Sequence, residues 1–315
     1  MYFGTFCRTL LKVECSKLEF NFPLSRTLPV HRPVSYLISG DQLSGRASTS
    51  TVFGLQPIFS PDIALVSVDA VIFYVHSHVV LGASNNAFRS LIPSTPTEAH
   101  PVIHVPESST TLNIILHAVY HMPFSQHYSF EDLSTAVNQL HVYGVPPKLY
   151  VSQDTHLFKL LLSYAPTLPL KVYTLAAKHN LLDLAVATSS HLLSFDLSNL
   201  TEETAEAIGS EYLRRLFFLH MGRLDALKRL LSSPPNSHPP TADCNAKDLT
   251  RAWALASAYL AWDLRPDLST NLLASTLIPL ERDISCNLCK EHLHLHIKEL
   301  SVQWSHVKVI GSLQV

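Results

Sequence analysis

The sequence predicts an α+β fold, in which a small sheet covered by helices is followed by an all-helical region. Two runs, 63–67 and 71–75, are rich in β-branched and apolar residues, and the polar stretch between them is able to turn. From residue 108 onward, apolar residues recur at helical spacing between proline and glycine stops. The 315 residues are 47% hydrophobic, which is ample for a core in most of the chain.

The first two runs predict a pair of strands joined by a tight turn. Ile63, Leu65 and Ser67 share one face of the first strand, because side chains alternate between the two faces of a sheet. The second run, 71–75, is β-branched and aromatic and is also typical of a strand. We expect Phe73, in the second strand, to lie between the sheet and the helices.

The end of the second strand and the residues that follow predict a structural histidine and a short helix. We interpret His76 as a residue that hydrogen-bonds the turn or the start of the next helix, with a pH switch as the alternative. Residues 84–86 offer an N-cap, and the pattern predicts a short helix over 87–92. Pro93 would stop that helix.

The stretch 61–92 resembles the core of the BTB (POZ) domain. The family pattern is an Asp-x-x-Leu strand, then Phe-x-x-His, a leucine-rich segment, and a serine shortly before a phenylalanine. In this chain the matching positions are Asp62, Leu65, Phe73, His76, Leu81, Ser84 and Phe88. The last spacing is one residue longer than in most animal members and is similar to the BTB-like proteins of mushroom-forming fungi. The resemblance implies a protein-interaction domain.

The next elements continue the same resemblance. Residues 102–105 predict a short strand, and Ser108 or Ser109 would cap the helix after it. Ser129 and Asp132 have the spacing of a capping box and predict the start of another helix. This order of strand, helix and helix is also similar to BTB.

The region after residue 148 is predicted to be helical. Asp154 and Thr201 are expected to cap helices, and Pro169 suits the first turn of another. The expected anchors of the last helices are Trp253, Leu260, Leu272, Leu277 and Trp304.

Together these patterns divide the chain into five segments. The segment 23–57 is rich in proline, serine, threonine and glycine, and 176–180 and 212–216 resemble the helical part that follows BTB in the fungal group. The predicted segments are an irregular or disordered N-terminal arm (1–57), a BTB domain (58–147), a helical region (148–231), a proline-rich linker (232–246) and C-terminal helices (247–310).

Composition limits the partners and the compartment. Charged residues make up only 15% of the chain and the net charge is −2, so no basic field favours nucleic acid as a direct partner. No run reaches the roughly 18 apolar residues that a membrane span needs. The five cysteines are few and no signal-peptide pattern begins the chain, so we expect thiols and an intracellular location, cytoplasmic or nuclear.

The sequence contains no familiar catalytic motif. Glycine-rich phosphate loops, the Gly-x-Ser-x-Gly elbow and the His-Glu-x-x-His pattern are all missing from it. We therefore predict no enzymatic activity, no catalytic residues and no cofactor-binding residues.

One segment resembles a metal site and has a second interpretation. Thiolates and imidazoles suit zinc, and Cys286-x-x-Cys289 is followed at two-residue and one-residue intervals by His292, His294 and His296. However, both cysteines fall on the apolar stripe of the predicted helix, where cysteine behaves as a small hydrophobe. A complete site would need a second segment, for which Cys244 is the evident candidate. We predict core cysteines and no metal, with zinc as the alternative.

The expected function is that of a non-enzymatic protein-interaction module, a BTB scaffold or adaptor that binds other proteins, with self-association as an option. The first alternative is a substrate adaptor of a cullin-type ubiquitin ligase. In the family the helices after Pro106 and Ser129 would face the cullin, and they are expected to expose His117, His121, Gln126 and His127 without an apolar anchor, so cullin binding is not favoured. A further alternative is a metal-dependent enzyme built on the Cys/His segment.

Overall fold

A computed structural model of the chain describes residues 47–54, 60–93, 101–124, 127–241, 244 and 247–307. It is α+β, mostly helical with a small sheet. The strands are β1 (Ser48–Thr49), β2 (Ile63–Val66), β3 (Val71–Val75) and β4 (Val102–His104). The helices are α1 (Ser77–Ala83), α2 (Ala87–Ser90), α3 (Ser109–Val119), α4 (Phe130–Val142), α5 (Pro147–Tyr150), α6 (His156–Leu162), α7 (Pro169–Lys178), α8 (Leu182–Ser189), α9 (Glu202–Ser232), α10 (Lys247–Trp262), α11 (Thr270–Leu277) and α12 (Asn287–His306).

The four strands form one sheet in the order β1-β3-β2-β4. The predicted pair β2 and β3 is antiparallel, with Leu65 opposite Phe73, while β1 and β4 join its two sides in parallel. The predicted turn is confirmed, since the Ala70 amide donates to the Ser67 carbonyl at 3.0 Å. Phe73 is buried, as the strand alternation predicts, but β2 is buried along its whole length rather than on one face.

The structure corrects the N-terminal arm prediction at residues 47–54. The Ser50 amide donates to the Ile72 carbonyl at 2.9 Å, which ties this segment to β3. Phe53 is buried, and its ring centroid lies 5.4 Å from that of Tyr120. A two-residue strand and one isolated phenylalanine are too short to produce a periodic pattern, so the sequence did not reveal them. The rest of the predicted arm, 1–46 and 55–57, lies outside the described residues.

Helix termini follow the sequence closely. Ser129 and Asp132 form the predicted capping box, with the Asp132 amide donating to the Ser129 hydroxyl at 3.1 Å. Ser108 and Thr201 also cap the helices that they were expected to cap. The cap of α6 is Thr155 rather than the predicted Asp154, because it is the Thr155 hydroxyl that accepts from the amide of the third residue in the helix.

The predicted short helix over 87–92 is wrong in its handedness. Asn86 is the N-cap, and its side-chain oxygen accepts from the Arg89 amide at 2.8 Å. However, φ is 53° at Ala87, 53° at Phe88, 62° at Arg89 and 57° at Ser90, all in the left-handed region. This turn buries Phe88 completely. Each non-glycine residue in this region carries a cost of roughly 1–2 kcal/mol, so tertiary packing holds the turn against local preference.

Two hydrophobic cores share the long helix α9. The first core joins the sheet, α1, α3, α4 and α6–α8 to the part of α9 that contains Tyr212 and Leu216. The second core joins Leu227 and Leu231, at the end of α9, to α10, α11 and α12. Four of the five predicted anchors are buried in that second core: Trp253, Leu260, Leu277 and Trp304. The fifth, Leu272, is 44% exposed, because it lies on the outer face of α11.

Among the described residues, no helix is both long enough and apolar enough to cross a bilayer.

Candidate functional site

The sequence motif around β2 and β3 makes interior contacts. Oδ1 of Asp62 accepts from the Ser77 amide at 2.7 Å, and Oδ2 accepts from the Ser77 hydroxyl. Burial raises the pKa of the Asp62 carboxyl, but the Ser77 hydrogen bonds outweigh burial and the net pKa is lowered. His76 bonds the start of the next helix, as the sequence suggested, but through its backbone: it is the N-cap of α1, and its carbonyl accepts from the Val79 and Val80 amides at 3.1 and 3.2 Å. Its amide and its Nδ1 lie 2.8 and 3.1 Å from the Tyr120 hydroxyl, beside the end of α3.

The later motif residues surround Tyr143. The Ser84 hydroxyl donates to the Tyr143 carbonyl and accepts from the Phe88 amide, both at 2.7 Å. The Phe88 and Tyr143 rings stack with centroids 4.3 Å apart. Burial, reinforced by the Glu107 carboxylate, raises the pKa of the Tyr143 phenol. These motif side chains therefore hold α1, the turn at 87–90 and the end of α4 together.

A groove of about 320 Å³ lies beside the end of α3. Its lining combines apolar side chains with histidines and hydroxyl or carboxyl groups. The lining residues are His117, Ala118, His121, Met122, Phe124, Leu149, Tyr150, Ser152, Asp154, Thr155, His156 and Leu157.

His117 is not an exposed residue of this surface, which corrects the sequence prediction. Its side chain is buried, and its Nδ1 donates to the Asn113 carbonyl at 2.8 Å, one helical turn earlier. Burial lowers the pKa of the His117 imidazole, so the neutral ring is favoured. His121 and His127 are exposed as predicted, and Gln126 lies outside the described residues.

The helix α10 carries an exposed apolar stripe. Leu255, Tyr259 and Trp262 are 65%, 73% and 93% exposed, and their spacing of four and three residues places them on one helix face. The buried face of the same helix is held in the second core, where Trp253 Nε1 donates to the Leu231 carbonyl at 3.0 Å. The exposed stripe therefore lies on a helix whose opposite face is packed in the second core.

The helix α9 exposes further apolar side chains. Phe217, Phe218 and Met221 are all exposed on this helix. The neighbouring Leu216 is buried and enters the first core.

The Cys/His segment begins α12. Cys286 is the residue before the helix, and Cys289 lies in its first turn. Cys289 is fully buried in the second core with Leu293 and Ile297, which confirms its place on the apolar stripe, and Cys286 packs against the same core.

The three histidines that follow these cysteines have other partners. His292 Nδ1 lies 2.6 Å from the Asn236 carbonyl, His294 Nε2 lies 3.0 Å from Glu281 Oε2, and His296 Nε2 lies 3.0 Å from the Ser233 carbonyl. None of these three histidines belongs to the group of potential metal ligands that includes Cys286 and Cys289.

Four potential metal ligands meet at this helix start. His238 Nε2 lies 3.2 Å from Cys289 Sγ and 3.4 Å from Cys286 Sγ, while Cys244 Sγ lies 3.6 Å from Cys289 Sγ. All four donor atoms lie within 4.8 Å of one another. Cys244 is the second-segment candidate of the sequence, whereas His238 was missed because it stands in the predicted linker. A His and a Cys separated by five residues, upstream of Cys-x-x-Cys, was the signal available.

The surroundings shift the pKa values of the two cysteine thiols at the start of α12 in opposite directions. The Cys289 backbone amide lowers the pKa of the Cys286 thiol to about 7. Burial raises the pKa of the Cys289 thiol to about 12. The Pro239 carbonyl, which accepts from Nδ1 at 2.7 Å, raises the pKa of the His238 imidazole.

Comparison of the chain with protein-family models, with curated proteins and with solved structures gives no match. The BTB resemblance therefore rests on the motif residues of this chain alone.

Proposed function

We propose that this protein is a non-catalytic protein-interaction module, a BTB-type scaffold or adaptor whose helical C-terminal part docks another protein. The observation that carries the proposal is the exposed stripe of Leu255, Tyr259 and Trp262 on α10. Tyrosine and tryptophan are enriched at the energetic centres of protein interfaces, and aligned exposed aromatics mark interaction surfaces.

The stripe offers enough apolar surface for a specific contact. Burying Tyr259 and Trp262 against a partner would contribute on the order of 8–12 kcal/mol, at about 25 cal/mol per Å² and about 150–250 Å² per aromatic side chain. Part of this is offset by lost translational and rotational freedom, so the stripe suits a partner with a matching apolar surface.

The BTB-type assignment of the first core is supported by the contacts of its motif residues. Asp62 holds the start of α1 through Ser77, and Ser84 and Phe88 lock onto Tyr143 at the end of α4. Each of these motif positions thus has a packing or hydrogen-bonding role. Such roles are expected of residues that define a fold, as opposed to residues that carry out a reaction.

The adaptor of a cullin-type ligase remains the second candidate, because of the groove beside α3. Met122, Phe124 and Leu149 give this groove apolar walls, which the sequence did not anticipate on this side of the domain. A partner loop that inserts one apolar side chain would fit a recess of about 320 Å³.

The test of the proposed function is affinity purification of the full chain from host cells, followed by mass spectrometry and by binding measurements with each recombinant partner. The variant Leu255→Ser/Tyr259→Ser/Trp262→Ser should weaken a direct partner by at least about tenfold, equivalent to about 1.4 kcal/mol. The matched control is Leu295→Ser/Val302→Ser, which alters exposed apolar residues of α12.

Light scattering on the same proteins shows whether the partner that binds the stripe is a second copy of the chain or a different protein. A concentration-dependent dimer that the stripe variant abolishes would identify a second copy of the chain as the partner. Equal binding of every partner by wild type, stripe variant and control would refute a role for α10.

A further inference from the structure

We propose that His238, Cys244, Cys286 and Cys289 bind one structural zinc ion in a closed, four-coordinate site. The site ties the segment after α9 to the first turn of α12. It is independent of the interaction surface proposed above, because none of its ligands belongs to the exposed stripe of α10.

The spacing of the donor atoms fits a zinc tetrahedron. With Zn–S near 2.3 Å and Zn–N near 2.0–2.1 Å, tetrahedral geometry places two sulfurs about 3.8 Å apart and a sulfur and a nitrogen about 3.6 Å apart. The Cys244–Cys289 Sγ distance is 3.6 Å, and His238 Nε2 lies 3.4 and 3.2 Å from the Cys286 and Cys289 sulfurs. These three pairs would expand by about 0.2–0.4 Å to admit the ion. Wider donor pairs of the cluster, which lie within 4.8 Å, would contract toward the same geometry. A disulfide would instead need about 2.05 Å between sulfurs.

The imidazole of His238 is oriented for coordination. Its Nδ1 lies 2.7 Å from the Pro239 carbonyl. A carbonyl only accepts, so Nδ1 carries the proton and Nε2 directs its lone pair at the sulfurs. Metal-bound histidines are commonly fixed in this way, with the second ring nitrogen donating to a carbonyl or carboxylate.

Two histidines of α12 hold the segment after α9 so that His238 lies beside Cys286 and Cys289. His296 and His292, one turn apart, contact the Ser233 and Asn236 carbonyls at 3.0 and 2.6 Å. The segment after α9 therefore runs back along α12 toward its N-terminus. His238 is the next residue along this path to meet α12, at Cys289 and Cys286. These contacts hold the predicted linker along α12.

Cys244 completes the site from the same segment. Backbone hydrogen bonds pair Thr241 with Cys244 in both directions, at 2.9 and 3.4 Å, and this brings the Cys244 thiol toward α12. The ligand set is then two residues from the segment after α9 and two from a Cys-x-x-Cys at a helix start. Paired ligand segments of this kind are typical of structural zinc sites.

The charge balance of binding is explicit. Zn²⁺ displaces the protons of the three thiols, and the ion, three thiolates and a neutral imidazole leave the site with a net charge of −1. The positive end of the α12 dipole lies beside Cys286 and Cys289 and favours this negative charge. With four protein ligands there is no open position for water, so the role is structural and not catalytic.

The test starts with the full chain, demetallated under a reductant that does not bind metal, and uses Co²⁺ as the probe. We expect saturation at one Co²⁺ per chain, visible bands of tetrahedral cobalt, and intense thiolate-to-cobalt charge transfer. Zn²⁺ should displace the cobalt, and zinc analysis of protein refolded with Zn²⁺ should also give one ion per chain. Wild-type protein that takes up no Co²⁺, or shows no thiolate band, would overturn the proposal.

Variants separate coordination from folding. Cys244→Ser should weaken Co²⁺ binding by at least a hundredfold, whereas Cys244→His supplies another ligand and should retain one Co²⁺ with a reduced thiolate band. His294→Gln is the matched control, because His294 lies on the same helix but contacts Glu281 instead of the cluster. Unchanged cobalt affinity and spectrum in Cys244→Ser, or equal loss in His294→Gln, would refute this ligand set.

Discussion

The guanidinium of Arg223 lies over the ring of Trp304, 4.1 Å from its centroid. Its Nε donates to the Pro266 carbonyl at 2.6 Å and its Nη1 to the Val307 carbonyl at 2.9 Å. A buried arginine on α9 thus holds the loop before α11 and the end of α12 at once. This contact makes α9 part of the second core by hydrogen bonds as well as by apolar packing.

Replacing Arg223 should destabilise the second core. Arg223→Met removes both carbonyl hydrogen bonds and the contact of the cation with Trp304, with an expected loss of about 2–4 kcal/mol in the free energy of unfolding. Arg223→Lys keeps the charge but not the planar fork, so it should recover only part of that loss. Urea unfolding of the full chain measures both. Arg229→Lys, at an exposed position of the same helix, is the control, and losses no larger than the control's would contradict the arrangement.

Phe53→Ala should destabilise the first core by about 3–5 kcal/mol, as expected for removal of a buried phenylalanine. Phe53 contacts Tyr120 and His117, with ring centroids 5.4 and 5.3 Å away. Thermal unfolding followed by circular dichroism gives the change, with the exposed Thr51→Ala as the comparison. A melting temperature equal to that of Thr51→Ala would show that residues 47–54 do not belong to the domain.

Ser90→Gly should stabilise the protein by about 0.5–1 kcal/mol, because glycine adopts left-handed backbone angles without steric cost. Ser90 is exposed and has φ of 57°. The same substitution at Ser275, an exposed position inside α11, should instead lose about 0.5 kcal/mol of helix stability. Urea midpoints of the two variants should therefore shift in opposite directions. A shift in the same direction for both would rule out the left-handed turn.

Acidification should destabilise the fold through His220. Burial lowers its pKa, with the Leu192 hydrogen bond and Asp267 opposing that shift. The folded pKa is thus below the value of 6.5 for the unfolded chain, so the stability that the neutral ring contributes is present above pH 6.5 and is lost as pH falls through the folded pKa. Urea unfolding at pH 7 and pH 5 should show this loss in wild type and less of it in His220→Gln. Identical pH dependence of the two proteins would exclude His220 as a source.

Direct cullin binding should be weak or undetectable. His121 and His127 are exposed between α3 and α4, and the apolar surface beside α3 is the groove that contains Met122 and Leu149. The measurement is titration of the full recombinant chain with the host's own cullins. Saturable binding at about 10 μM or tighter, lost in Met122→Asp/Leu149→Asp, would make the adaptor function the better one.

The sequence by itself determined the elements whose causes are local. The strand pair at 63–66 and 71–75 follows from alternation and β-branched residues, and the caps Ser108, Ser129 and Thr201 follow from hydrogen bonds that reach only three residues. Helical periodicity likewise placed Cys289 on the buried side of α12.

Tertiary structure decided the features whose causes are distant in sequence. Phe53 packs on the rings of Phe73, His117 and Tyr120, which follow it by 20, 64 and 67 positions. The left-handed angles at 87–90 persist because Phe88 stacks on Tyr143. Cys244 and His238 join Cys289 only because α9 and α12 fold together. Periodicity describes which face of an element is apolar, but it does not state which other segment will cover that face. The pairing of His238 with Cys286 and Cys289, across more than 45 residues, was for that reason beyond the sequence pattern.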